Sequence, residues 1–314
     1  MTTQRIVILG GTGFVGSYLV PRLVANGHHL TVLSRNRESR RTMAVLPGVI
    51  IRSADVHDDA VLRAQLEGAD AVINLIGILN PQGRDTFQHV YIDLTKRLID
   101  ACKATGVKRL HQMSSLKAGQ GLSQYLKTRG EVEALVKASP LDWTLYQPSV
   151  IFGDGDGLVT RFAALLRKMP ALPLARAASR LAPTYAGDVA EAIARCVADD
   201  TLSVRRSFEL YGPEVLTLGE IVRAIRDAAG LHTPIIPLPD SLGRLQAQVA
   251  GLLPGKPFSP DNFLSLRTDS VGKVDGYAAL GIVPQPFTPW LPRLIHGLPR
   301  QSRLDAARNA YRHR

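Results

Sequence analysis

Short apolar runs alternate with amphipathic segments over the first half of the chain. The runs rich in Val, Ile and Leu cover residues 5–9, 30–34, 49–53, 70–77, 108–114 and 142–147. Between them, apolar residues recur at helical spacing near residues 14–26, 36–45, 58–67, 85–105 and 123–138. Strands that are apolar on both faces and separated by helices are typical of a parallel sheet covered on each side. The pattern therefore predicts an α/β fold with a doubly wound parallel sheet of the Rossmann type.

The pattern changes after residue 152, where glycine, proline and basic residues mix with shorter elements. Helices are predicted near residues 158–168, 188–198 and 218–229, and residues 207–211 indicate a strand that returns to the sheet. We predict a dinucleotide-binding domain over residues 1–152, rejoined by 186–212. Residues 153–185 and 213–314 are predicted to form a smaller C-terminal α/β cap domain that ends in a basic tail.

Three glycines at the spacing Gly10, Gly13 and Gly16 follow the first predicted strand directly, within the run Gly10-Gly11-Thr12-Gly13-Phe14-Val15-Gly16. Glycine permits positive φ, and its missing side chain lets a phosphate approach the backbone. The helix that follows presents unpaired N–H groups and the positive end of its dipole. We therefore predict a dinucleotide site in which Gly10, Thr12, Gly13, Phe14, Val15 and Gly16 contact the cofactor. The alternative is an ordinary glycine-rich turn between a strand and a helix.

The end of the second predicted strand bears on the choice between the two nicotinamide dinucleotides. Enzymes that choose NAD place a carboxylate there, which bonds the ribose 2′-hydroxyl. This chain has Ser34 and Arg35, followed by Arg37. A guanidinium can pair with a 2′-phosphate through two hydrogen bonds, whereas a carboxylate would repel it. The sequence favours NADP(H), with NAD(H) second; the alternative is a solvated, basic helix start.

Two further strand ends supply candidate cofactor contacts. Asp55 and Val56 follow the third strand, where adenine usually lies, so Asp55 could accept from the adenine amine and Val56 could pack on the ring. Asp55 could equally be the N-cap of the helix that begins near residue 58. Leu75, Ile76 and Gly77 close the fourth strand, and Gly77 would allow close passage of the ribose and pyrophosphate.

Composition and charge exclude several classes of protein. The 314 residues are 45% hydrophobic and 21% charged, which is ordinary for a globular protein, and the formal net charge is +11. Apart from residues 35–41 and the C-terminal tail, the basic residues are dispersed, and no module interleaves them with aromatics, so no nucleic-acid partner is predicted. No signal peptide, membrane-spanning segment or metal-ligand spacing is recognised. We expect a cytoplasmic protein without a metal site.

The basic residues do concentrate at the end of the chain. Residues 294–314 contain Arg300, Arg303, Arg308, Arg312 and Arg314, and a single acid. Leu304, Ala307 and Tyr311 fall at helical spacing within this tail. A basic amphipathic helix can lie on an anionic membrane, which suggests peripheral contact with the inner face of a membrane or with a protein complex. A solvated or disordered tail is the other interpretation.

Taken together, several motifs resemble the short-chain dehydrogenase/reductase superfamily, especially its extended and atypical branches. They are the glycine-rich run at 10–16, Asn74-Leu75-Ile76-Gly77, Met113-Ser114-Ser115, Tyr125, and residues 147–153. Residues 72–79, 87–90, 106–109 and 183–190 more narrowly resemble the group containing the nucleotide-binding accessory subunit of respiratory complex I and its bacterial relatives. The resemblance covers about residues 4–215. It implies cofactor contacts at Met113, Tyr125, Arg129, Pro148, Val150 and Ile151.

The resemblance also implies catalytic roles. In active members a Tyr moves the proton at the carbinol oxygen, a Lys four residues on lowers the pKa of that Tyr, and a Ser orients the substrate. Tyr125 matches, and Ser114 and Ser115 are candidate substrate contacts, although serine also commonly ends a strand. Position 129 is Arg, whose guanidinium stays protonated. Lys127 lies about 200° around the helix from Tyr125 and cannot replace the missing lysine.

Three functions remain open from the sequence. The first is an NADP(H)-dependent oxidoreductase of low or specialised activity, with Tyr125 as acid/base, Arg129 as electrostatic support and an unidentified small-molecule substrate. The second is a non-catalytic protein that holds NADP(H) for structure, assembly or sensing and docks on a membrane respiratory complex or another partner. The third is a sugar-nucleotide epimerase or dehydratase, which needs the same Tyr and Lys.

Overall fold

The computed structural model describes residues 3–35, 43, 45–252 and 258–297. The strands in chain order are β1 (Arg5–Leu9), β2 (His29–Ser34), β3 (Val49–Ser53), β4 (Ala71–Asn74), β5 (Arg109–Met113), β6 (Asp142–Pro148), β7 (Ile151–Phe152), β8 (Leu172–Ala175), β9 (Arg180–Leu181), β10 (Thr184–Tyr185), β11 (Arg206–Leu210), β12 (Leu216–Thr217) and β13 (Ile235–Leu238). The helices are α1 (Phe14–Ala25), α2 (Asp59–Leu66), α3 (Leu94–Thr105), α4 (Gln124–Ala138), α5 (Leu158–Lys168), α6 (Ala186–Ala198), α7 (Asp200–Ser203), α8 (Leu218–Ala228), α9 (Asp240–Leu252), α10 (Pro260–Ser265), α11 (Gly276–Ala279) and α12 (Leu291–His296). A π-helical segment, Gln88–Asp93, leads into α3, and a 3₁₀ turn, Thr288–Trp290, leads into α12.

Within the described residues, seven strands form one parallel sheet in the order β11-β6-β5-β4-β1-β2-β3. The chain leaves β1 towards β2 on one side and later returns to pair β4 with the other side of β1. This reversal opens a crevice at the carboxyl end of β1, the place where such sheets bind ligands. The predicted doubly wound α/β fold is confirmed. The helix predicted over residues 36–45 lies almost wholly outside the described residues.

Helices cover both faces of the sheet and bury its apolar side chains. On one face, α1 and α6 pack together through residues such as Leu19, Leu23 and Ile193. On the other face, α2, α3 and α4 contribute residues such as Leu98 and Val132. These side chains are fully buried, which explains why the strands are apolar throughout and do not alternate.

A separate apolar cluster lies among the elements that follow β6. It joins α5, α8 and α12 around Phe152, Ile221 and Phe287, beside the small β8–β13 pair. Strand β11 belongs to the central sheet, where it pairs with β6. The division into a dinucleotide-binding domain and a cap domain stays a prediction. No helix in the described part of the chain combines the length and apolar composition needed to cross a bilayer.

Candidate functional site

The glycine-rich turn joins β1 to α1, and its glycines allow close contacts with neighbouring backbone. Gly10 has φ of +75°, and a Cβ there would lie 3.0 Å from the backbone nitrogen of Ile76. A Cβ at Gly16 would collide with the carbonyl oxygen of Gly11, so that glycine permits close packing of α1 on the turn. Gly13 is the N-cap residue of α1 and donates its amide to the Gly10 carbonyl at 2.9 Å. The amides of the first turn of α1 have no intrahelical partner and carry the positive end of the helix dipole.

A cleft of about 480 Å³ opens at this turn. Predicted cofactor residues that line it are Gly10, Thr12, Gly13, Phe14, Val15, Gly16, Ser34, Arg35, Val56, Leu75, Ile76 and Gly77. Lining residues that sequence reasoning missed are Leu33, Ala54, His57, Ile78, Asp85 and Val90. Leu33, Ala54, His57 and Ile78 are sequence neighbours of predicted cofactor residues, so the positions of the strand ends could have identified them. Asp85 and Val90 come from the segment after β4, whose path the local pattern does not predict.

The end of β2 lies on one wall of this cleft. The Ser34 hydroxyl is 3.2 Å from the Thr12 hydroxyl, which joins β2 to the glycine-rich turn. Arg35 reaches across to Asp85, with 2.7 Å between its Nη1 and the carboxylate Oδ2. Arg37, the other predicted 2′-phosphate contact, lies outside the described residues. The structure therefore places one predicted guanidinium in the cleft, paired with an acid.

The segment after β3 forms the opposite end of the cleft. Val56 is buried and His57 stacks on His89 with ring centroids 3.9 Å apart. Burial lowers the pKa of His57, the neighbouring His89 lowers it further, and Asp55 and Asp85 partly offset the effect. Asp55 accepts the His57 amide at 2.9 Å and does not line the cleft. The alternative that Asp55 caps the following helix is wrong, because the Asp58 carboxylate accepts from the first-turn amides of α2.

The remaining predicted cofactor contacts lie outside the lining of this cleft. Met113 and Pro148 end β5 and β6, where their carbonyls accept hydrogen bonds from Arg129 and from the Leu116 amide. Val150 and Ile151 are half-buried and pack in two apolar clusters. Their roles as cofactor contacts stay predictions.

Arg129 occupies the interior of the protein beside Gly77. Its side chain is 4% exposed, and its Nη1 donates to the Met113 carbonyl at 3.0 Å. The guanidinium carbon lies 4.0 Å from the centre of the Tyr91 ring and 5.5 Å from that of Tyr125. A Cβ at Gly77 would lie 2.9 Å from Nη2 of Arg129, so a larger residue there would require the guanidinium to shift. Arg129 thus fills the space between Gly77, β5 and two tyrosine rings.

Charge at this position is permanent. Burial opposes the charge of Arg129, but the Tyr91 and Tyr125 hydroxyls outweigh it and the pKa of the guanidinium lies above its usual value. Tyr91 belongs to the π-helical segment, and burial raises its pKa to about 12. Its hydroxyl accepts the Ile78 amide at 2.8 Å and donates to the Ile78 carbonyl. Sequence reasoning missed Tyr91, which lies within the helix predicted near residues 85–105.

The two serines after β5 have different surroundings. Ser114 donates to the Glu133 carboxylate at 2.7 Å, and Gln147 donates to the same oxygen at 2.7 Å. Lys137 completes this cluster at 3.1 Å from the other carboxylate oxygen. The Ser115 hydroxyl is buried and has no hydrogen-bond partner among the described residues. Ser114 therefore ties the end of β5 to α4, and neither serine lines the cleft.

Comparison with known proteins agrees with this geometry. A family model described as NAD(P)H-binding matches residues 10–200. Subunit 9 of the NADH dehydrogenase [ubiquinone] 1 alpha subcomplex, a mitochondrial protein of Arabidopsis thaliana, is 28% identical over 84% of this chain and 70% of its own length. A ceramide reductase of Caulobacter vibrioides is 28% identical over 75% of this chain and 74% of its own length.

Among solved structures, the NADPH-dependent quinone oxidoreductase QOR2 of Escherichia coli, complexed with NADPH, has the same fold. It aligns with a TM-score of 0.74 at 20% identity, over 92% of this chain and 99% of that one. The family match covers the glycine-rich turn, the cleft and the Tyr125–Arg129 helix. The chain belongs to the NAD(P)H-binding family, and its sequence is similar to that of the mitochondrial NADH dehydrogenase subunit.

Proposed function

We propose that this chain holds NADP(H), in preference to NAD(H), in the cleft at the glycine-rich turn and transfers hydride slowly or not at all. Slow or absent hydride transfer is proposed because of the placement of Arg129, which is buried between Gly77 and Tyr91 and donates a hydrogen bond to the Met113 carbonyl. When bound, a reduced nicotinamide dinucleotide would supply a hydride. The chain's own residues decide whether a substrate can use it.

The lining of the cleft fits a dinucleotide. Gly10, Gly13 and Gly16 leave room for a pyrophosphate against the first-turn amides of α1. Arg35 would hold the 2′-phosphate, which is the finer claim that separates NADP(H) from NAD(H). Val56 and His57 would contact the adenine end.

Proton transfer is the step for which this chain is poorly equipped. A Tyr that gives its proton to a substrate oxygen needs a neighbour that restores it or stabilises the phenolate. Arg129 can stabilise a phenolate but cannot relay a proton, because its guanidinium stays charged. The Ser114 hydroxyl donates to Glu133, so Ser115 is the one serine of this pair left to donate a hydrogen bond to a substrate carbonyl.

One observation favours a second function, reduction of a carbonyl. The Ser115 hydroxyl is buried without a partner in the described part of the chain, and burying such a group is costly unless a ligand satisfies it. One relative is named a ceramide reductase. In this alternative, Ser115 orients the substrate oxygen and Tyr125 donates the proton, with Arg129 as fixed positive charge.

The relatives named as complex I subunits support a further part of the proposal, that this chain contacts a protein complex. Residues 298–314, which form most of the tail predicted to make that contact, lie outside the described residues. The proposal for the tail therefore depends on its basic, amphipathic sequence alone.

Arg129→Lys tests which of the two functions is right. Under the proposal, wild type turns over NADPH slowly or not at all with a panel of carbonyl substrates, while wild type and Arg129→Lys bind NADPH with dissociation constants within about threefold of each other. Arg63→Lys, an exposed change on α2, is the matched control. Wild-type turnover at rates ordinary for a reductase, abolished in Tyr125→Phe, would contradict the proposal and support the reductase. A gain confined to Arg129→Lys would support the proposal, because it would identify Arg129 as the group that limits proton transfer.

Arg35→Asp tests the choice of dinucleotide. We expect wild type to bind NADPH more tightly than NADH, and the variant to reverse that order, with NADPH weakened by about 30-fold because a carboxylate repels the 2′-phosphate. Titration calorimetry measures both constants, with Arg63→Asp as the exposed control. Equal wild-type affinity for the two dinucleotides would remove the argument for a 2′-phosphate site.

A further inference from the structure

The segment between β4 and the π-helical segment carries an acid into the mouth of the cleft. Asp85 lines the cleft, and its carboxylate lies 2.7 Å from the Arg35 guanidinium on the opposite wall. The Arg35 side chain is 77% exposed and that of Asp85 32%, so the pair lies at the solvent-facing edge of the cleft. The contact joins residues 50 positions apart in sequence.

Local structure holds Asp85 in this place. Its amide donates to the Gln82 carbonyl at 2.9 Å, and the Gln82 amide donates back to the Asp85 carbonyl at 3.1 Å. Gly83 makes the tight turn between them with φ of +55°. Thr86, the next residue, accepts the His89 amide at 3.1 Å and so ties the turn to the start of the π-helical segment. The carboxylate is therefore presented by a structured turn.

Asp85 and Arg35 favour different groups at the ribose 2′ position: the guanidinium favours a phosphate, and the carboxylate favours a hydroxyl. A 2′-phosphate would compete with Asp85 for the same guanidinium and would be repelled by the carboxylate. A 2′-hydroxyl, in contrast, can donate a hydrogen bond to a carboxylate, which is how NAD enzymes use the acid at the end of their second strand. Here the second strand ends in Ser34 and Arg35, and the acid comes from another part of the chain.

We infer that Asp85 is a specificity-determining residue that weakens NADP(H) binding by occupying Arg35 and supports NAD(H) binding by accepting the ribose 2′-hydroxyl. The inference rests on the proposed function, since it assumes that the cleft binds both dinucleotides. It predicts a protein whose preference for NADP(H) is moderate, because the acid and the guanidinium offset each other.

Asp85→Asn separates these two effects, since the amide keeps the size of the side chain and removes its charge. We expect the dissociation constant for NADPH to fall about fivefold and that for NADH to rise about fivefold, as measured by titration calorimetry on the full chain. Asp59→Asn is the matched control. Asp59 forms a similarly short ion pair with Arg97, with 2.6 Å between carboxylate and guanidinium, and neither residue lines the cleft. That control should change neither constant.

The outcomes distinguish this inference from the function on which it rests. If wild type binds neither dinucleotide, the proposed function itself fails. If wild type binds both and Asp85→Asn moves the two constants in the same direction, or leaves their ratio unchanged, the role assigned to Asp85 is wrong while the cleft remains a dinucleotide site.

Discussion

Replacing Gly10 with alanine is expected to weaken NADPH binding about a hundredfold while leaving the protein folded. Gly10 adopts φ of +75°, a conformation that alanine takes up only at a cost. The new Cβ would also lie 3.0 Å from the Ile76 nitrogen and 3.1 Å from the Leu75 carbonyl carbon. Relief of that contact moves the turn away from β4 and displaces the amides that would hold the pyrophosphate. Titration calorimetry gives the affinity, and circular dichroism checks the fold.

Gly27→Ala is the control that separates a change in the geometry of the cleft from the general cost of placing alanine at positive φ. Gly27 has a similar φ of +84° at the end of α1, and no described atom lies within 4 Å of a Cβ built there. Both variants carry the penalty of positive φ, about 1 kcal/mol. Only Gly10→Ala should lose affinity for NADPH. Comparable losses in the two variants would mean that general destabilisation, and not the geometry of the turn, accounts for the effect.

Glu133→Ala is expected to lower the free energy of unfolding by about 3 kcal/mol, the largest stability effect that we predict. The Glu133 carboxylate is buried and accepts from Ser114 and Gln147 at 2.7 Å each. Its removal leaves those donors unpaired between α4 and the sheet, together with a cavity. Chemical denaturation followed by circular dichroism measures the change.

Glu131→Ala on the same helix is the control for this variant, because Glu131 is exposed. It should change stability by less than about 0.5 kcal/mol. If the two alanine variants are equally stable, the network around Glu133 does not hold α4 in place, and Ser114 is free to serve a substrate after all.

The parts of the fold that depend on local periodicity were predictable. Strand β3 has the predicted bounds, residues 49–53, and so has the helix at residues 158–168. Buried parallel strands and amphipathic helices both leave a repeating apolar pattern, and the glycine-rich turn marks where they meet. The position of the cleft follows from that turn and from the strand order.

Contacts made by loops were not predictable, because they depend on paths that periodicity does not encode. Asp85 meets Arg35 only through the turn at Gly83. Tyr91 lies under Arg129 within a π-helical segment, whose wider turns do not follow the spacing of an α-helix. The spacing of Tyr125 and Arg129 did indicate a shared helix face, but not that the guanidinium would be buried against Met113. The spacing also left open which of the adjacent serines would meet Glu133.

The central claim is that the turn between β1 and α1 binds a nicotinamide dinucleotide. Calorimetric titration of the folded, full-length chain with NADPH, and separately with NADH, tests it most directly. We predict saturable binding of one dinucleotide per chain, tighter for NADPH. Absence of saturable heat with both ligands, from protein shown to be folded and free of bound nucleotide, would contradict the account.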